Sequence, residues 1–158
     1  MAKLFLDVDG VINAFDRDST AWDDWTTAKA TADGIAWTIT WSPAMLQELD
    51  AFGMDLIWAT SWMEFAPVNL ANTIGFGHGK RYLVPVDGKW EYPTILWKHL
   101  AVALEVKFLK GEKFVWIYDE MSDKEIAWAY DHGGLAIKTD ENHGITRADL
   151  ARIEEYLL

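Results

Sequence analysis

Short apolar runs alternate along this chain with segments whose apolar positions recur every three or four residues, the pattern of buried strands separated by amphipathic helices. Lys3-Leu4-Phe5-Leu6-Asp7 predicts a strand over 3–7 buried on both faces. Residues 14–34 are polar, rich in aspartate and threonine, and predict a surface excursion. Ile35 to Trp41 alternates apolar and polar residues, as a half-exposed strand or hairpin arm does. Ser42 and Pro43 then supply an N-cap and a first helical residue, and Met45, Leu46, Leu49 and Phe52 form a stripe that Gly53 ends. Met54 to Ala59 predicts a second buried strand, followed by a helix over about 65–74 and a short edge strand over 82–86. Pro93 opens a long helix to about Phe108, with Leu96, Leu100, Ala103 and Leu104 on its inner face. Phe114 to Tyr118 is a third apolar strand. Ser122 and Glu125 have capping-box spacing for a helix to about Tyr130. Leu135–Lys138 predicts a last strand, and Thr146 caps a terminal helix carrying Leu150, Ile153 and Leu157 inward.

Strands and helices thus alternate from end to end. That order implies an α/β fold, a mostly parallel sheet sandwiched between helices. With 158 residues and no linker, repeat or low-complexity stretch, a single domain over 1–158 is expected. Ten tryptophans spread along the chain point to core packing and pocket walls rather than one binding strip. The net charge of -11 opposes non-specific attraction to nucleic acid or to an anionic membrane. Half of the 14 basic residues nevertheless fall in one central segment: Lys80, Arg81, Lys89, Lys98, Lys107, Lys110 and Lys113. A few of these suit a phosphate-bearing substrate. The absence of cysteine removes disulfides and thiolate metal sites. No signal-peptide pattern and no bilayer-length apolar run is present, so a cytoplasmic location without membrane attachment is expected.

The chemistry concentrates where apolar strands end. Asp7-Val8-Asp9-Gly10 closes the first, Thr60-Ser61 the second and Asp119 the third. In a parallel sheet these carboxyl ends share one edge, so the groups converge. Asp7 and Asp9 repel unless a cation lies between them or one takes a proton. The pair suits a magnesium site, a nucleophile with a partner acid, or both. Gly75-Phe76-Gly77-His78-Gly79-Lys80 lacks P-loop spacing and predicts a loop. His78, His99, His132 and His143 show no paired ligand spacing, and neither a serine-nucleophile elbow nor a zinc-protease motif occurs. The D-x-D-G string lacks the further oxygen ligands of a calcium-binding EF-hand.

The segments DVDGV, IWATSW, a later lysine, and DEMSD after VWIY resemble, in order, the four motifs of the haloacid dehalogenase (HAD) superfamily. WATSW and VWIYDE are especially similar to small HAD proteins of bacteria and phages. The resemblance implies a three-layer α/β/α Rossmann-like fold and a magnesium-dependent phosphatase. It makes Asp7 the nucleophile that forms an aspartyl-phosphate and Asp9 the general acid/base. It assigns Mg2+ to Asp7, the backbone carbonyl of Asp9, and Asp119, with Asp123 or Glu120 as second acid. Thr60, or Ser61 if the register shifts by one, holds a phosphoryl oxygen. Lys98 is the best match to the motif lysine, with Lys80, Arg81 and Lys89 as alternatives. The gap after the first motif leaves room for only a flap or minimal cap over 14–41. The expected partner is a phosphorylated small molecule or nucleotide. A nucleotidase or polynucleotide-end (3′-) phosphatase is the competing enzyme, and a catalytically idle binding domain is the reading of another class.

Overall fold

The computed structural model of the protein describes residues 1–86 and 94–158, the side chains of 94–96 excepted. Lys89, Trp90 and the helix start at Pro93 lie outside them, as does the Leu96 side chain. Five parallel strands form the central sheet in the order β5-β4-β1-β6-β7: β1 (Lys3–Leu6), β4 (Asp55–Trp58), β5 (Arg81–Tyr82), β6 (Phe114–Tyr118) and β7 (Leu135–Lys138). The remaining strands, β2 (Thr26–Ala32) and β3 (Ile35–Trp41), pair antiparallel as a separate hairpin. The helices are α1 (Pro43–Asp50), α2 (Ala71–Ile74), α3 (Thr94–Val106), α4 (Asp123–Asp131) and α5 (Arg147–Leu157). Three layers result, as the alternation of elements predicts.

Period-two alternation sorts the two sides of the sheet. Leu4 and Leu6 of β1, Trp58 of β4 and Ile117 of β6 pack with Met45 and Leu49 of α1 and Leu150 and Ile153 of α5. Phe5, Ile57, Phe114 and Trp116 pack on the other side with α3 and α4. Asp7 continues the parity of Phe5, so its side chain belongs to the α3 side. Leu6 is level with Trp58 and with Ile117, which brings the three strand ends to one edge.

The buried face of α3 is Trp97, Lys98, Ala101 and Val102, while the predicted inner residues Leu100 and Leu104 are exposed. Sequence periodicity followed the leucines. The sheet opposite α3 is already filled by Phe5, Phe114, Trp116 and Tyr118, and small Ala101 and Val102 let the helix approach it. The rotation also delivers Lys98 inward.

Residues 14–34, predicted as a surface excursion, contain strand β2. Ala28, Ala30 and Ala32 alternate with exposed Lys29 and Thr31, but alanine is too small to make the period stand out in a segment rich in polar residues. Asp33 (φ 54°) and Gly34 (φ 76°) form the two-residue turn, the Asp-Gly signature of a type I′ hairpin. Ala30, Ile39 and Trp41 bury the hairpin base in the core. The Trp22 indole donates to the Ile145 carbonyl (2.8 Å), tying down the approach to the hairpin.

The helix expected over 65–74 is a 3-10 turn (Met63–Phe65), a π-helical turn (Ala66–Leu70) and then α2. Pro67 has no N–H for a regular ladder, which accounts for the irregular turns around it. The edge strand expected over 82–86 shrinks to Arg81–Tyr82, and Pro85 cannot extend its pairing. In the glycine loop, Trp58 lies against Gly77, and its indole donates to the Gly77 carbonyl (3.1 Å). Among the described residues no helix is long and apolar enough to cross a membrane.

Candidate active site

After β1 the backbone coils tightly: the N–H groups of Val11, Ile12 and Asn13 all point to the Val8 carbonyl. Gly10 makes this possible with φ 76°, and a Cβ there would strike the Asp119 carboxyl. Thr139 closes the loop from behind by donating to the Gly10 carbonyl (2.7 Å). The coil sends Asp7 and Asp9 into different surroundings.

Asp7 is 3 % exposed and Lys98, from α3, is 4 % exposed. Lys98 Nζ donates to Asp7 Oδ2 at 3.1 Å, and the Val8 N–H donates to Asp7 Oδ1 at 2.8 Å. The ammonium also lies 4.4 Å from the centre of the Tyr118 ring. Burial pushes the Asp7 carboxyl above the usual carboxylate range, against the pull of Lys98 and the Val8 N–H. Asp119 is pushed up to about 6, first by burial and then by the Asp7 and Glu120 charges. Tyr118 is raised by burial and by Asp7, so its phenol stays protonated, and it donates to Glu120 (3.3 Å).

Asp9 faces the other way. Its Oδ1 accepts from Asn13 Nδ2 (2.9 Å) and its Oδ2 from the Trp62 indole N–H (3.1 Å). Asn13 in turn accepts the Thr40 N–H of β3 at 2.9 Å, so one amide joins Asp9 to the hairpin. Sequence reasoning missed both partners. Asn13 lies just past the DVDG string and Trp62 directly follows Thr60-Ser61, and neither residue type announces such a contact.

The remaining residues singled out in the sequence divide cleanly. Thr60 is buried, and its hydroxyl oxygen accepts the Trp62 N–H (3.2 Å), organising the turn after β4. Ser61 is exposed and lines a cavity beside Asp9. Met63 holds φ 46° in the same turn, a left-handed conformation that is strained for a side-chain-bearing residue. Lys80 is exposed, and Arg81 pairs with Glu105 (2.7 Å), so neither is engaged with Asp7. Asp123 stands exposed in the first turn of α4.

The model for the HAD domain in Swiss Army Knife RNA repair proteins matches residues 3–150. The chain belongs to this family. No curated protein and no solved structure matches it. Membership makes this HAD domain one of a family of phosphatase-type hydrolases with a Rossmann-like fold.

The donor set suits a hard divalent cation in kind. The Asp7 charge opposes ionisation of Asp119, the Asp9 charge opposes that of Asp7, and Asp119 packs against the Gly10 backbone beside Asp9. Lys98 supplies one positive charge to two carboxylates, so a second cation would relieve the remainder. Among the described residues, no three acidic or histidine side chains form a metal-binding group.

Proposed function

We propose that the protein is a Mg2+-dependent phosphomonoesterase that works through an aspartyl-phosphate on Asp7. The observation that carries this reading is the buried Lys98–Asp7 contact beside a separately held Asp9. A single strand end presents one carboxylate aimed from the core and another aimed at a cavity. Nucleophile and acid/base need those two different situations.

Asp7 attacks phosphorus and forms an Oδ–P bond while the bond from phosphorus to the leaving oxygen breaks. Asp9 gives its proton to that oxygen. Asp9 then takes a proton from water as the water attacks phosphorus, breaking the Oδ–P bond and releasing inorganic phosphate. Lys98 holds Asp7 in place and balances charge gathering on the phosphoryl group. Thr60 accepts the Trp62 N–H on its hydroxyl oxygen, which leaves its O–H to donate to a phosphoryl oxygen, and Ser61, exposed at the cavity, is the neighbouring donor. The Asp7 carboxylate, the Asp9 carbonyl and Asp119 would hold Mg2+. When bound, the ion offsets the negative charge that an anionic phosphate meets at Asp7.

Hydrolysis of p-nitrophenyl phosphate tests this with Mg2+, with EDTA, and in Asp7→Asn. Turnover that needs Mg2+ and disappears in the variant is expected. No metal-dependent turnover across a broad phosphate panel would sink the phosphatase reading, and equal turnover in Asp7→Asn would remove Asp7 as nucleophile. The family's description supports a second reading, a phosphate at an RNA end as the substrate. Adding a 3′-phosphorylated oligoribonucleotide to the panel tests it.

A further inference from the structure

The cavity beside Asp9 has about 590 Å³ of space and is enclosed by the hairpin turn, the turn after β4 and the segment around Tyr82. Asp9, Asn13 and Ser61 form its polar end, and Asp7 does not line it. Resting on the phosphatase reading, we propose that this cavity receives the substrate's leaving group, and that the leaving group is a nucleoside whose base stacks on Trp37.

Position supplies the first reason. A phosphoryl group attacked by Asp7 expels its alcohol toward the residue that protonates it. Asp9 lies on the cavity side, so whatever leaves is held there. The second reason is the character of the walls. Trp58 and Trp116 are fully buried, as core packing predicts, but Trp37 is 49 % exposed on the hairpin and Tyr82 is 37 % exposed. Together with Phe65 they border the same space. Flat aromatic faces left open beside a catalytic carboxylate suit a flat aromatic ligand, and volumes of this order accommodate small molecules.

Charge supplies the third reason. Asp33 and Glu64 line the cavity with Asp9, and among the described residues no lysine or arginine does. The acidic lining repels a second phosphate inside the cavity, while carboxylates accept hydrogen bonds from exocyclic amines and ribose hydroxyls. One neutral nucleoside fits that lining. It can be a free mononucleotide or the last residue of a strand whose other phosphates stay outside.

The test compares kcat/KM on adenosine 3′-monophosphate, a 3′-phosphorylated oligoribonucleotide ending in adenosine, and base-free glycerol 2-phosphate. Trp37→Ala should lower the preference for either adenosine substrate over glycerol 2-phosphate by about tenfold, chiefly through KM. Trp37→Phe should restore most of it. An unchanged preference in Trp37→Ala overturns the assignment. If that variant does not fold, Tyr82→Ala carries the same comparison. A higher kcat/KM for the oligoribonucleotide identifies a strand end as the source of the nucleoside; a higher value for the mononucleotide identifies a free one. Turnover of p-nitrophenyl phosphate but of none of the three overturns the assignment, whereas no Mg2+-dependent turnover of any phosphate in the broad panel makes the phosphatase reading fail separately. Calorimetric titration of adenosine then decides the cavity: binding weakened in Trp37→Ala supports it, and no binding to the wild type overturns it.

Discussion

Asp7 and Asp9 are two residues apart, yet they belong to two regions built on different principles. Asp7 sits buried in the interior, gripped by the backbone and by Lys98, whose ammonium lies over the Tyr118 ring. Asp9 sits at the mouth of a cavity, steered by an indole and an amide that themselves rest on the hairpin and the turn after β4. The first environment is held by the packed sheet and helices, and the second by loop residues that can change without disturbing the sheet.

The largest expected effect comes from the interior. Asp7→Asn should reduce kcat by at least about a thousandfold, measured under saturating Mg2+. A residual rate near wild type would make the buried carboxylate structural and erase the distinction between the two regions. Lys98→Ala should lose about a hundredfold in kcat and also destabilise the fold by about 3 kcal/mol in urea unfolding, because it leaves Asp7 buried without its ion pair. Asn13→Ala and Trp62→Phe should each lower kcat by about tenfold, because both contacts steer Asp9. Each should also cost about 1–2 kcal/mol in urea unfolding, since Asn13 satisfies the buried Thr40 N–H and Trp62 packs in the core. A drop in stability without a drop in kcat would show that these groups hold the hairpin instead.

The pH dependence of stability separates the regions further. Asp119 titrates at about 6 in the folded protein, above its ordinary value, so the folded state binds the proton more tightly than the unfolded chain. Stability from this group therefore falls as pH rises from about 4 to about 6, and thermal unfolding of EDTA-treated protein should show it. Asp119→Asn should flatten that slope. The smallest effect is remote from both regions. Asp24 accepts from the Ser42 hydroxyl and the Ala44 N–H at the start of α1. Burial opposes its ionisation, but these hydrogen bonds prevail and hold its carboxyl below the ordinary value. Asp24→Ala should cost about 1 kcal/mol in urea unfolding at neutral pH with kcat intact. The wild-type contribution should vanish as pH falls through the lowered folded-state value.

The strand ends were legible in the sequence because each joins an abrupt apolar run to a polar residue. DVDG, IWATS and VWIYD could be placed on one sheet edge before any coordinates. Capping chemistry was equally local: Ser42, Ser122 and Thr146 cap α1, α4 and α5 through their own hydroxyls. The hairpin strand β2 was missed because its period-two signal rests on the small residues Ala28, Ala30 and Ala32, which weigh little against the surrounding polar residues, although Asp33-Gly34 marked the turn. The face of α3 was missed because periodicity weighs leucine above lysine, whereas the packed sheet left room for Ala101 and Val102 and a charge for Lys98 to meet.

By itself the sequence determined the order of elements, the parallel sheet and the residues assembled at its carboxyl edge, since these follow from local pattern and strand polarity. Only the tertiary structure decided that Lys98 reaches Asp7, that Asn13 and Trp62 hold Asp9, and that Trp37 and Tyr82 border one cavity. Those contacts join residues distant in the chain, and helix rotation, loop coiling and shared volume set them only when the whole core packs at once.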